Sequence, residues 1–174
     1  NIPVFYADHH RAGDIPQSPF LDAHIDLDAN TCTSLIVNNL LNNKYVLWAI
    51  AAAYGDNMLA AAEALADQHG ITQNDRAQLK QLGIFVNYNG YGATEDDLHF
   101  APAALFQHLV KFENPFELIA DQSSVFWLLK EAYEQDMEKA KAAEIIENND
   151  SCMIIALPDE PWSRRVSGVV GNEL

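Results

Sequence analysis

The order of apolar and polar positions assigns most elements of the chain. "PVFYA", residues 3–7, is a run of β-branched and aromatic residues and predicts a short buried strand. Gly13, Pro16 and Pro19 make residues 11–19 a loop. "AHIDLD", residues 23–28, alternates and suits a second strand. In "CTSLIVNNLLNN", residues 32–43, Leu35, Ile36, Leu40 and Leu41 recur at helical spacing, with Asn30 or Thr31 placed to cap the helix. Residues 45–54, "YVLWAIAAAY", are apolar nearly all round, which predicts a helix deep in the domain. After the "GDN" break, "MLAAAEALADQHG" reads as an alanine-rich helix closed by Gly70.

Further along, Thr72 can cap "QNDRAQLKQLG", a short helix ending at Gly83, and "NYNGYG" (87–92) reads as a turn or loop. "PAALFQHLVKF" and "PFELI" are short helices with proline near the start. A long helix is expected over 123–148, apolar at Val125, Leu128, Leu129, Ala132, Tyr133 and Met137 and charged in its second half. "SCMIIALP" then reads as a strand entering a new sheet, and "VSGVVG" as another apolar run. Strands alternating with helices make this an α/β chain.

Composition adds bounds. The 174 residues carry 49% hydrophobic and 20% charged residues, as in an ordinary globular protein. Twenty-five acidic against ten basic residues give a formal charge of −15, which disfavours tight binding of long nucleic acid. A cleft loaded with divalent cations would still hold a short phosphorylated substrate. The two cysteines, Cys32 and Cys152, are far apart, arguing against a disulfide framework or thiolate zinc site and for a reducing, cytoplasmic setting. No apolar run reaches membrane-span length, and no signal peptide opens the chain. The apolar start and the ending "VSGVVGNEL" predict a piece of a longer protein.

Candidate chemistry gathers at two places. Asp8, His9 and His10 follow the first strand directly, offering a carboxylate and two imidazoles from one segment. Side chains of neighbouring extended residues diverge, which suggests one histidine on a metal and the other toward substrate, with Asp8 accepting an imidazole N–H. A polar strand end accounts for the same triplet. Asp56 follows the most apolar helix, where a charge needs a partner or a metal; it is equally well placed to cap the helix that follows.

Together, "PVFYADHHRAG", "AHIDLDANTCTSLIVNNLL" and "VLWAIAAAYGDN" resemble the DHH phosphoesterase superfamily, which includes RecJ-type exonucleases, oligoribonucleases, cyclic-dinucleotide phosphodiesterases and manganese-dependent pyrophosphatases. Asp8, His9 and His10 match its third motif and Asp56 its fourth; "EPWSRRVSGVVGNEL" looks like the opening of the accessory substrate-binding domain of the RecJ-like branch. The resemblance implies the C-terminal part of a helix-rich, parallel-sheet DHH-type domain over 1–121, a connector helix over 122–149, and the start of a second α/β domain over 150–174. It implies that His9 and Asp56 bind metal, that His10 contacts the scissile phosphate, and that Asp8 acts beside them. Two Mn2+ or Mg2+ ions are expected in the intact parent, which would hydrolyse phosphodiester or phosphoanhydride bonds. The family's first two motifs would lie before residue 1, so this chain alone is expected to be inactive.

The implied partner is a phosphorylated small molecule or short oligonucleotide, not a membrane, and fragment edges favour association, including a homodimer. A non-catalytic binding or assembly domain of the same fold is the alternative. A chance Asp-His-His in an unrelated helical protein would leave His9 and Asp56 far apart. Arg76 has two readings, an ion pair with Asp75 or Glu63 or a phosphate contact; Arg164, beside Arg165, is either solvated surface or a contact to a substrate strand. "NGYG" reads as a tight turn rather than a phosphate loop, Cys32 as a buried small residue, and His69, His99 and His108 as structural. His24 lies on the second strand, either as a surface residue or lining the cleft.

Overall fold

A computed structural model describes residues 2–173 as a mixed α/β chain of two compact units. The first unit runs to Ile84 and includes Glu113–Pro115; the second comprises Phe85–Phe112 and the chain from Phe116 onward. Among the described residues no helix is long and apolar enough to cross a membrane.

In the first unit, β1 (Val4–Asp8) and β2 (Leu21–Ile25) pair in parallel, with Val4 opposite Leu21 and Asp8 opposite Ile25. The second strand is thus set two residues earlier than its alternation suggested, because pairing to β1 decides its length. Both strands point their C-terminal ends toward the loop carrying His9 and His10, the end at which parallel sheets place ligands. Helix α1 (Thr33–Leu40) follows, with neither Asn30 nor Thr31 as its cap: the cap position is Cys32, whose side chain makes no capping bond. The helix stops before Asn42 and Asn43, both left-handed (φ 52° and 61°), a conformation asparagine tolerates better than most residues.

Helix α2 (Val46–Gly55) is buried as its apolar pattern predicts, with Ala49, Ile50, Ala51, Ala53 and Tyr54 enclosed. It ends in a Schellman turn: the Met58 amide donates to Ala53 O (2.8 Å) and the Asn57 amide to Tyr54 O (3.1 Å), with Asn57 left-handed at φ 59°. Helix α3 (Leu59–Gln68) closes the same way at Gly70, φ 63°, as expected.

Helix α4 (Gln73–Tyr88) does begin at Thr72, whose hydroxyl accepts the Asp75 amide at 3.2 Å, but it does not end at Gly83. It runs on to Tyr88, because Gly83 is a contact residue. A Cβ there would collide with the Ala51 carbonyl of α2, and one on Gly55 would lie 2.7 Å from Gly83 O. Tyr54 and Arg76 tie α2 and α4 to α3: the Tyr54 hydroxyl donates to Glu63 (2.6 Å), and Arg76 reaches Glu63 (2.7 Å), Asp67 (2.6 Å) and Ile71 O (2.8 Å).

In the second unit, α5 (Pro102–Leu109) and α6 (Pro115–Ala120), whose Pro115 belongs to the first unit, begin at proline as expected. Helix α7 spans Val125–Lys141, shorter than the 123–148 or 122–149 connector expected. Residues Glu144–Asn148 instead form β3, antiparallel to β4 (Met153–Ala156) with Ile145 opposite Ile155. The turn is held by Asn149, whose side-chain oxygen accepts the amides of Ser151 (2.9 Å) and Cys152 (3.0 Å). The "VSGVVG" run is helical, inside α8 (Pro161–Glu173). Trp162, Val166, Val169 and Val170 share one face and pack on Tyr88, Met137 and Ala140.

A buried ionic network locks this unit. Asp136 accepts Arg165 Nε (2.9 Å) and Nη2 (2.7 Å), the Tyr88 hydroxyl and Lys139 Nζ (3.1 Å). Because Tyr88 donates to Asp136, His99 Nε2, 2.8 Å away, donates its N–H to the phenol oxygen. Burial, with the Arg165 charge behind it, pushes His99 below its ordinary value, although Asp136 pulls the other way.

Two outcomes follow from this packing. Gly83→Ala is expected to destabilise the chain by about 3 kcal/mol, at the top of the overpacking range, as read by urea denaturation. His99 protonates less readily folded than unfolded, so its contribution is intact above the ordinary value of 6.5 and is lost as pH falls through the lower folded value. The thermal midpoint of His99→Gln should therefore fall less than that of the parent between about pH 7 and about pH 5; identical slopes would assign the loss to other groups.

Candidate metal centre

The strand ends at Asp8, and the carboxylate of Asp8 makes the turn. Its Oδ1 accepts the backbone amides of His9 (2.8 Å) and His10 (3.2 Å), and its Oδ2 accepts the Tyr6 hydroxyl (3.1 Å). The next two residues leave the extended conformation, so the divergence expected of His9 and His10 does not occur. Their rings lie 4.0 Å apart between centroids, and ligand atoms of Asp8, His9 and His10 all fall within 4.8 Å of one another.

Asp8 serves His10. The Nδ1–H of His10 donates to Asp8 Oδ1 at 2.9 Å, which leaves the Nε2 lone pair of this exposed ring (73%) directed outward. That hydrogen bond first, and the backbone amides of His10 and His9 beside it, hold the Asp8 carboxyl well below the usual carboxylate range. His9 is more enclosed, 17% exposed. Its Nδ1 accepts the amide of Thr33 at 3.1 Å, so the imidazole caps α1 from outside the helix where Cys32 does not. Its Nε2 faces Asp56 Oδ2 at 3.8 Å.

Asp56 is not the N-cap of α3, where Met58 stands; it is the C-cap of α2, set there by the left-handed Asn57. Its carboxylate, 41% exposed, has no hydrogen bond among the described residues and faces the His9 ring. Bonds from one ion to an imidazole nitrogen and a carboxylate oxygen are each about 2.0–2.2 Å, so a separation just under about 4 Å admits a shared ion. Imidazole and carboxylate groups are both ligands of divalent cations.

No family model, curated protein or solved structure matches the chain.

The structure clusters Asp8, His9 and His10 and brings Asp56 up to the His9 ring; sequence reasoning passed over Thr33 and Tyr6. A hydroxyl residue one position inside a helix start is the signal for Thr33; Tyr6 carries none, since its role depends on alternate strand residues sharing a face. Arg76 and Arg164 do not join the cluster. All three guanidinium nitrogens of Arg76 are engaged within the first unit, and of the two ion pairs considered Glu63 is made while Asp75 instead takes the Thr72 hydroxyl. Arg164 belongs to the second unit, where it forks onto Asp97 (both contacts 2.8 Å) and also meets Asp159; Arg165 is buried rather than solvated. His24 pairs with Asp22 at 3.0 Å and rests on Phe5. Cys32 is buried, and burial pushes its thiol up, away from nucleophile chemistry. In "NGYG", Asn89 is enclosed and binds the backbone of His99 and Phe100, so the segment is a structural turn.

Because His9 is the cap of α1, His9→Ala is expected to lower the local stability of that helix start by about 1 kcal/mol. Faster amide exchange at Thr33 and Ser34, with exchange in α7 unchanged, is the measurement that checks it.

Proposed function

We propose that this chain is part of a metal-dependent phosphoesterase of the DHH type, acting on a phosphodiester or phosphoanhydride bond. The observation that carries the reading is the 3.8 Å approach of His9 Nε2 to Asp56 Oδ2. These residues are 47 positions apart, and a chance tripeptide gives no reason for them to meet. The uncommitted carboxylate of Asp56 and the outward Nε2 of His10 support the same reading.

In it, His9 and Asp56 hold a cation and Asp8 keeps the His10 imidazole oriented. His10, with its free Nε2, contacts the phosphate of the substrate. Bound divalent ions, two in the intact protein, supply an activated water and neutralise the leaving oxygen. The substrate is a phosphorylated small molecule or a short oligonucleotide, since the charge of −15 opposes a long polyanion. A cytoplasmic location accords with the two unpaired cysteines.

The test is Mn2+-dependent hydrolysis of short oligonucleotides, cyclic dinucleotides and pyrophosphate by the full-length protein. His9→Ala and Asp56→Ala should each lower the rate by about 100-fold or more. Retention of Mn2+-dependent activity in both variants would overturn the reading; absence of hydrolysis with Mn2+ still bound would leave a binding domain of the same fold.

A further inference from the structure

The contacts of His9 contain a conflict that the metal reading must resolve. A backbone amide can only donate, so the 3.1 Å bond from the Thr33 amide requires a lone pair on His9 Nδ1. In the neutral ring the proton then sits on Nε2, the nitrogen that faces Asp56. An imidazole in that form presents N–H to the cation position and cannot ligate through Nε2. Ligation needs the other tautomer, with the proton on Nδ1 and an acceptor to receive it.

One acceptor is already in place. The Thr33 hydroxyl oxygen lies 3.1 Å from the same Nδ1. Unlike the amide, a hydroxyl both donates and accepts, and its hydrogen rotates to suit. Asp8 Oδ1 is 4.0 Å from Nδ1, beyond hydrogen-bond range, and is already engaged by His10 and two amides.

We propose that Thr33 is the positioning residue for His9: its amide holds the metal-free ring with Nε2 protonated, and its hydroxyl accepts a hydrogen bond from Nδ1–H when Nε2 takes a divalent cation. The inference rests on the metal reading above. The ring's charge does not change. The Nε2 proton leaves to solvent, a proton is taken up at Nδ1, and the freed Nε2 lone pair binds the ion. The Thr33 amide loses its acceptor in the same step, so loading the centre uncaps α1.

The experiment follows the His9 ring nitrogens of the 15N-labelled chain by long-range proton–nitrogen NMR, with Zn2+ as a diamagnetic probe and His9→Ala to assign the signals. The free chain should show protonated Nε2 and bare Nδ1. With Zn2+, Nδ1 should become protonated and the Thr33 amide should exchange faster. Thr33→Val keeps the amide and removes the hydroxyl: the free tautomer should persist while Zn2+ affinity at His9 falls by about tenfold or more, and Thr33→Ser should restore it. A protonated Nδ1 in the free chain, read without any variant at Thr33, overturns the proposal. Parental Zn2+ affinity in Thr33→Val, with binding lost in His9→Ala, removes the role of Thr33 and leaves the centre standing. A His9 ring unmoved by millimolar Zn2+ overturns the proposal, while Mn2+-dependent hydrolysis by the full-length protein decides the centre.

Discussion

The first unit depends on one close approach, the crossing of α2 and α4 at Gly55 and Gly83. A Cβ on either glycine would run into backbone of the facing helix. Helices that meet at backbone distance leave no room for larger side chains between them, which explains the alanines that fill α2. This contact fixes the course of α2, and with it the position of Asp56 at the helix end. The site therefore rests on packing that contains no polar chemistry.

Charge is handled differently in the two units, yet by one rule: an arginine that leaves water is given carboxylates. In the first, Arg76 holds Glu63 and Asp67 on a neighbouring helix, and Tyr54 adds a hydroxyl donor to Glu63. In the second, Arg165 is nearly enclosed and meets Asp136, itself bonded by Tyr88 and Lys139. Removing one partner from the buried Arg165–Asp136 pair is expected to cost about 3–5 kcal/mol, because the other is left charged without water. In a chain of net charge −15, Arg165 neutralises Asp136, a carboxylate that burial would otherwise expel, whereas Glu63 and Asp67 stay exposed beside Arg76.

The carboxylates of the candidate centre are set apart from those networks. Asp8 is occupied, but by donors of its own segment, and it turns the chain so that both histidines face one region. Asp56 pairs with no arginine or lysine among the described residues and faces His9. The two imidazoles are held in opposite senses, His10 by an acceptor and His9 by a donor. Adjacent residues of the same type are thereby made chemically distinct.

Local pattern was sufficient where a signal lies within a few residues. The buried nature of α2, the Gly70 stop, the proline starts of α5 and α6 and the Asp8–His10 candidate follow from periodicity, turn chemistry and residue type; the first strand forms but is not buried as expected, since Val4 and Phe5 are exposed in a sheet of only two strands. Only tertiary structure decided the rest. Gly83 resembles a helix end until α2 is seen to lie against it. The stretch 144–148 carries a charged helical pattern, but antiparallel pairing with Met153–Ala156 makes it a strand. "VSGVVG" reads equally as strand or helix until Val166 and Val170 are placed on Tyr88 and Met137. Asp56 and His9 share a site, and His9 caps α1, through contacts between residues 47 and 24 positions apart. Short-range energies decide a turn or a cap; such meetings depend on which apolar surfaces exclude water together, and no window of sequence contains both partners.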